Sequence, residues 1–203
     1  MKLYFSPGAC SLSPHIVLHE AGVKFELVKT ALKTHTLVAD GSDYYAVAPK
    51  GQVPMLELDD GQRLTEGPAI VQYIADHAPG TSLAPAHGTL ERYRLMEWLN
   101  FVSTELHKGF SPLFNAQMPK EAKEIFAARL KEKFAYVDRS LAGRDYLLGA
   151  NFSVADAYLF TVANWADGPG IDLSNLSNFA AWRARVAARP AVQAALQAEG
   201  LAK

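Results

Sequence analysis

One break in the pattern of the chain limits its folds more than any other feature. Before residues 78–88, short β-type runs alternate with helical ones, and after them nothing reads as a strand. The break itself, from Ala78 to Gly88, contains Pro79, Gly80, Pro85 and Gly88 and no long apolar run, which predicts a linker. The expected organisation is a mixed α/β domain over 1–78, a linker over 79–88 and an all-helical domain over 89–203. At 203 residues the chain can bury a core without cross-links, and its single cysteine excludes an intramolecular disulfide. That cysteine count favours a reducing compartment, hence the cytoplasm. With Lys+Arg 20 against Asp+Glu 21, the net charge of −1 points to neither nucleic acid nor an anionic membrane as partner. No apolar stretch near the N-terminus has signal-peptide or membrane-spanning length.

Within 1–78 the predicted order is βαβ followed by ββα. Lys2-Leu3-Tyr4-Phe5 reads as a strand, Ile16-Val17-Leu18 as a helix that Gly22 ends, and Phe25-Glu26-Leu27-Val28 as a second strand. Val53–Leu58 and Arg63–Thr65 flank Asp59-Asp60-Gly61-Gln62, a hairpin turn, and Pro68 opens a helix through Ile74. Between Val28 and Val53 the expectation is a loop with a short helical turn at Tyr44–Val47. Helical spacing then predicts helices over 89–108, 120–140, 153–165, 178–189 and briefly after Pro190. Ser153-Val154-Ala155-Asp156 reads as a capping box, which assigns Asp156 to structure rather than chemistry.

The chemistry-bearing stretch is Ser6–Pro14. It places Cys10 at or just before a helix N-terminus, where unpaired backbone N–H groups and the helix dipole favour thiolate. The alternative for a lone cysteine is a small buried hydrophobe. The spacing Cys10-Ser11-Leu12-Ser13 resembles a monothiol C-x-x-S motif with no resolving cysteine. Val53-Pro54 precedes a strand; cis X-Pro bonds are uncommon, so sequence alone favours trans, although in a thioredoxin-type arrangement a cis proline faces the redox cysteine. Glu66-Gly67-Pro68 stands at a second strand-to-helix junction, suited to a zwitterion: Glu66 for an ammonium, backbone N–H for a carboxylate. Leu95, Leu99, Val102 and Leu106 form a core stripe, while Asn100, Thr104, His107 and Lys108 share a polar face. That face is either solvated surface or, at His107-Lys108, the lining of an interdomain cleft. His15, His19, His35, His77 and His87 complete no metal-ligand box, so no metal is expected. Dinucleotide, P-loop and serine-hydrolase motifs are absent from the sequence.

Six segments in order resemble the glutathione S-transferase family, specifically its bacterial beta class: Met1–Tyr4 leading to Pro7–His15, Pro49–Pro54, Leu64–Tyr73, Glu97–Phe101, Glu105–Lys108 and Ser153–Phe160. The resemblance covers essentially the whole chain. It implies a thioredoxin-like N-terminal domain with a mixed sheet, an all-helical C-terminal domain and a homodimer. Glutathione is the implied co-substrate, conjugated to small hydrophobic electrophiles or exchanged through Cys10 as a disulfide or in reductive dehalogenation. By the same resemblance Cys10 meets the glutathione sulfur, with Ser11 and His107 assisting. Ala9, Gln52, Val53, cis Pro54, Glu66, Gly67, Asn100, His107 and Lys108 hold glutathione, and Phe5, Phe110, Phe114 and Trp165 line the electrophile pocket. Two positions depart from many relatives. Phe5 replaces a tyrosine and cannot donate a hydrogen bond, and Gly67 replaces a serine, leaving only backbone N–H for the γ-glutamyl carboxylate. The rival readings are a glutaredoxin-like thiol transferase and a non-catalytic ligand-binding or dimerisation module.

Overall fold

The structure is a computed structural model that describes residues 1–78 and 80–202. Pro79, part of the expected linker, lies outside the described residues. The chain divides into two compact units, one of residues 1–83 and 189–203, the other of residues 84–188.

The first unit is built on a five-stranded mixed sheet in the order β3-β2-β1-β4-β5. Its strands are β1 (Lys2–Phe5), β2 (Glu26–Ala31), β3 (Thr36–Leu37), β4 (Met55–Glu57) and β5 (Arg63–Thr65). β1 runs parallel to β2, with Leu3 opposite Leu27, and antiparallel to β4, with Leu3 opposite Leu56. Helix α1 (Leu12–Glu20) supplies the crossover between the two parallel strands, as the βαβ pattern requires. The predicted hairpin closes where the Gln62 carbonyl accepts from the Leu58 amide, and α2 (Gly67–Asp76) follows with Pro68 in its first turn. The short helical turn forms at Tyr44–Ala46, capped by the Asp43 carboxylate. The two-residue strand β3 was not expected: it folds back on β2 as a short antiparallel hairpin, and two residues carry no periodicity to read.

The second unit is helical throughout: α3 (Leu90–Phe101), α4 (Lys108–Phe114), α5 (Lys120–Ser140), α6 (Val154–Ala163) and α7 (Ser177–Ala187). The expected single helix over 89–108 is interrupted by a π-helical segment, Val102–His107, before α4 continues. Leu95, Leu99, Val102 and Leu106 are buried as the stripe predicts. Helix α6 is buried at every position, and Phe134, Phe179 and Trp182 pack on one another beside it.

Helix α8 (Pro190–Ala198), grouped by sequence with the helical domain, instead packs on α1 in the first unit. Its anchors are long-range: Arg189 donates from Nε and Nη2 to the Glu20 carboxylate, and Glu199 meets His15. Such pairs leave no trace in local sequence pattern.

The Ser153–Asp156 capping box forms. The fully buried Asp156 carboxylate does more than cap: it accepts from the Leu147 and Ser153 amides, the Ser153 hydroxyl and Trp182 Nε1, all at 2.8–2.9 Å. Burial raises its pKa, against the pull of these donors. Asp156→Ala leaves three N–H donors and a hydroxyl facing apolar surroundings, at a cost of about 3 kcal/mol or more. Urea unfolding is expected to show that loss, with Trp182→Phe, which removes one donor, costing about 1 kcal/mol.

Candidate functional site

The loop that carries Cys10 begins as a turn of the type II kind. Pro7 occupies its second position, Gly8 its third with φ +72°, and the Ala9 amide donates to the Ser6 carbonyl at 3.0 Å. Leu12 and Ser13 then donate to the carbonyls of Ala9 and Cys10, so the chain passes from turn to helix at the cysteine. Cys10 therefore sits just before α1, as expected, and it is partly exposed. Its thiol donates to the Val53 carbonyl at 3.1 Å.

That carbonyl belongs to the segment Gly51-Gln52-Val53-Pro54, and the Val53-Pro54 bond is cis, against the expectation from sequence alone and in line with the resemblance. The Val53 side chain is buried with Tyr4, Tyr44 and Met55, so only its backbone faces the thiol. Tyr44 Oη donates to the Gln52 carbonyl at 3.0 Å; burial, and then the neighbouring Tyr4, push this phenol far above its ordinary range and keep it a donor. Gly51 has φ +61°, which favours glycine, and a Cβ there would lie 2.5 Å from the Tyr45 ring and 2.8 Å from His35 Nδ1, so those side chains would have to shift. Gln52 itself is exposed.

At the second junction Glu66 takes a left-handed conformation, φ 69°, immediately before α2. Its exposed carboxylate accepts from Lys50 Nζ at 2.7 Å, and the same ammonium reaches Thr65 Oγ1 at 3.2 Å. A Cβ on Gly67 would lie 3.9 Å from Pro54 Cγ, which brings the start of α2 against the cis proline. One face of the first unit thus gathers Cys10, Val53, Pro54, Glu66, Gly67 and Lys50. Lys50 was missed as a site residue: the sequence shows it in the motif, but its pairing with Glu66 spans sixteen residues.

Two expectations in this unit are corrected. Ser11 is fully buried, and its hydroxyl accepts from the Ser6 amide and donates to the Ser6 carbonyl, both at 3.2 Å; it staples the turn and is not placed to act as a nucleophile. Phe5 is 5% exposed and packs beside His15, so it is core beneath the site rather than pocket wall.

The second unit holds the other predicted residues. His107 ends the π-helical segment, half-buried, with Nδ1 2.6 Å from Tyr158 Oη and its ring 4.9 Å from that of Trp165. Phe114 is exposed and stacks at 6.0 Å on Phe110, while both meet Trp165 edge-on. Phe110 is fully buried, correcting its expected place in the pocket wall; Phe114 and the half-buried Trp165 keep accessible surface. Asn100 and Lys108 are exposed, like Thr104 between them.

A residue without any local signal also shapes the cysteine loop. Glu199, just beyond α8, is buried and accepts the Gly8 amide on Oε2 at 2.9 Å, while Oε1 lies 2.8 Å from His15 Nδ1. Its carboxylate thus holds the peptide between Pro7 and Gly8 in the orientation that this turn demands. Beside it, burial and then His15 hold His19 below the ordinary imidazole range. Glu199→Ala strands a buried amide and a buried imidazole, at about 2–3 kcal/mol. The expected signature is a lower unfolding midpoint together with faster hydrogen exchange at the Gly8 amide; unchanged exchange there would refute the assignment.

The family model described as "Glutathione S-transferase, N-terminal domain" matches residues 1–76, and "Glutathione S-transferase, C-terminal domain" matches residues 101–190. Glutathione S-transferase GstA of Escherichia coli O157:H7 is 50% identical over 201 residues, 99% of this chain and all of the relative. A sphingomonad glutathione S-transferase solved in complex with glutathione superposes with a TM-score of 0.95 at 50% identity over all of both chains. A beta-class enzyme from Sphingomonas chungbukensis does so with a TM-score of 0.95 at 48% identity, over 99% of this chain and 100% of the other. With both halves matched and the arrangement around Cys10 in place, the chain belongs to the glutathione S-transferase family, and beta-class enzymes are among its structural neighbours.

Proposed function

We propose that this protein is a glutathione transferase whose Cys10 thiol meets the glutathione sulfur. The observation that carries this reading is the 3.1 Å contact between Cys10 Sγ and the Val53 carbonyl. It brings the chain's one thiol to backbone along which an extended thiol peptide adds like a strand. Such a peptide needs the Val53 carbonyl as an acceptor for its own amide. A carbonyl oxygen accepts two hydrogen bonds, so it takes that amide while the Cys10 thiol stays beside the incoming sulfur.

Charge supports the same substrate. The γ-glutamyl end of glutathione carries an ammonium and a carboxylate, and Glu66 and Lys50 present the opposite charges side by side. Their mutual ion pair is exposed and contributes less than about 1 kcal/mol, so exchanging it for substrate costs little. The amides at the start of α2 offer further donors to the carboxylate, with no side-chain hydroxyl at Gly67. Gln52 lies on the same strand-like segment; Ala9 stands in the loop beside Cys10.

Two reactions follow. In conjugation, the glutathione thiolate attacks a carbon electrophile, and the new C–S bond forms as the leaving group departs with its electron pair. In exchange, the Cys10 thiolate attacks glutathione disulfide, one S–S bond replaces another and a glutathione thiolate leaves. With no second cysteine, a further glutathione must resolve the mixed disulfide. The partly exposed Cys10 favours this glutaredoxin-like activity as a second capacity of the same site. A homodimer in the cytoplasm is part of the proposal, through family membership and the lone cysteine.

Intact mass after incubation with glutathione disulfide is the decisive test. One added glutathione on the wild type and none on Cys10→Ala is expected; an unmodified wild type, or a modified variant, would defeat the assignment. Glu66→Gln is expected to raise KM for glutathione about tenfold, the loss of one charge-assisted hydrogen bond of about 1.5 kcal/mol, with unfolding unchanged because the side chain is exposed.

A further inference from the structure

Tyr44 is a phenol enclosed entirely in the core of the first unit. Its ring stacks on that of Tyr4 at 5.8 Å between centroids and packs with Val53 and Met55. Its backbone is held as well: the amide donates to the His35 carbonyl at 2.8 Å, and the carbonyl accepts from the Val47 and Ala48 amides at 3.0 and 2.8 Å. The hydroxyl is spent on one partner, the Gln52 carbonyl at 3.0 Å. A backbone carbonyl only accepts, so the phenol is the donor of this bond.

What the phenol holds is a peptide plane. The Gln52 carbonyl and the Val53 N–H belong to the same peptide, which is trans; the cis bond is the next one, between Val53 and Pro54. In a trans peptide the C=O and the N–H point in opposite directions. With the carbonyl turned into the core towards Tyr44, the Val53 N–H is turned away from it. Among the described residues no group accepts from that N–H. The proline that follows Val53 favours an extended backbone at this residue, and an extended residue presents its N–H and its C=O on the same edge. The Val53 carbonyl on that edge is the one that meets the Cys10 thiol.

We propose that Tyr44 is a positioning residue of the glutathione site: by holding the Gln52 carbonyl it aims the Val53 N–H at the cysteinyl carbonyl of glutathione. The role rests on the reading of this protein as a glutathione transferase. On that reading the cysteinyl residue pairs with Val53 in both directions, its amide on the Val53 carbonyl and its carbonyl on the Val53 N–H, as two residues do across an antiparallel ladder. The phenol contributes twice. It orients the peptide before the substrate arrives, so that no ordering is left to binding. Its hydrogen bond to the carbonyl also polarises the peptide, which makes the N–H at the other end a stronger donor. The cysteinyl backbone does not change during reaction at the sulfur, so both effects act equally on bound substrate and transition state. They belong to KM and not to kcat.

Tyr44→Phe removes the hydroxyl and keeps the ring on Tyr4. It is expected to raise KM and the calorimetric dissociation constant for glutathione about fivefold, the loss of one neutral hydrogen bond, with kcat within about twofold of wild type. Tyr4→Phe takes a hydroxyl from the same core and leaves the bond to Gln52 in place; it is expected to keep KM and the dissociation constant within about twofold. In nitrogen-15 spectra the Val53 amide proton is expected to move downfield when glutathione is added to the wild type, and to move less in Tyr44→Phe. The proposal is overturned by Tyr44→Phe with wild-type KM and dissociation constant, by a loss confined to kcat, by an equal loss in Tyr4→Phe, or by a Val53 amide that glutathione leaves unmoved. Should Tyr44→Phe fail to fold, the Val53 amide of the wild type decides. A wild type that neither binds nor transfers glutathione defeats the transferase reading and this role with it, whereas a wild type that binds it as well as Tyr44→Phe does defeats the role alone.

Discussion

The turn that presents Cys10 has to hold a specific peptide orientation without a strand ladder or a helix to enforce it. Two hydrogen-bonding devices supply that constraint. Within the loop, the buried Ser11 hydroxyl clasps the Ser6 backbone in both directions. From the far end of the chain, the buried Glu199 carboxylate takes the Gly8 amide and reaches His15. The carboxylate is buried, so each of its oxygens is committed to one of these partners, and together they keep the loop where the Cys10 thiol reaches the Val53 carbonyl. The packing of α8 on α1, with Arg189 on Glu20, is the scaffold that brings Glu199 to this place.

The helical unit solves a similar problem in the same way. Asp156 begins as a helix cap, but the carboxylate also collects the Leu147 amide and the Trp182 indole. It thereby ties the loop before α6, the start of α6 and the middle of α7 to one pair of oxygens. Because α6 is buried all round, its orientation cannot be set by an amphipathic face alone; directional bonds at its first turn supply what apolar packing does not. The position of Tyr158, one turn further on, follows from that anchoring.

Local chemistry made much of this visible in the sequence. The Asp59–Gln62 turn, the Ser153–Asp156 box, Pro68 at the head of α2 and the bounds of α5 each depend on residues within a few positions of one another, and each formed as read. What escaped depends on distance or on small shifts of phase. β3 has two residues and exists because β2 offers it an edge. The π-helical turn keeps the apolar spacing of the stripe while altering the exposure of His107 relative to Asn100. Of the candidate site residues, Cys10, Glu66 and Gly67 stand at the strand-to-helix junctions that their sequence neighbours indicate. The partners of Glu199, Lys50 and Tyr158 could not be read in this way, because nothing near these residues in sequence distinguishes a carboxylate, an ammonium or a phenol that has a remote partner. Ser11, Phe5 and Phe110 erred in the opposite direction: each has the right chemistry for a site, and burial alone assigns it to structure.

These placements separate two ways of holding a side chain. Around Cys10 the partners are backbone groups, the Val53 carbonyl and the amides of the turn, whose positions are fixed by the fold and are insensitive to most side-chain replacement. Around His107 the partners are side chains, Tyr158, Trp165 and the exposed Phe114, each open to change by a single substitution. Contacts of the first kind survive most side-chain replacements and contacts of the second kind change with one substitution, which separates what the fold holds fixed from what the sequence is free to vary.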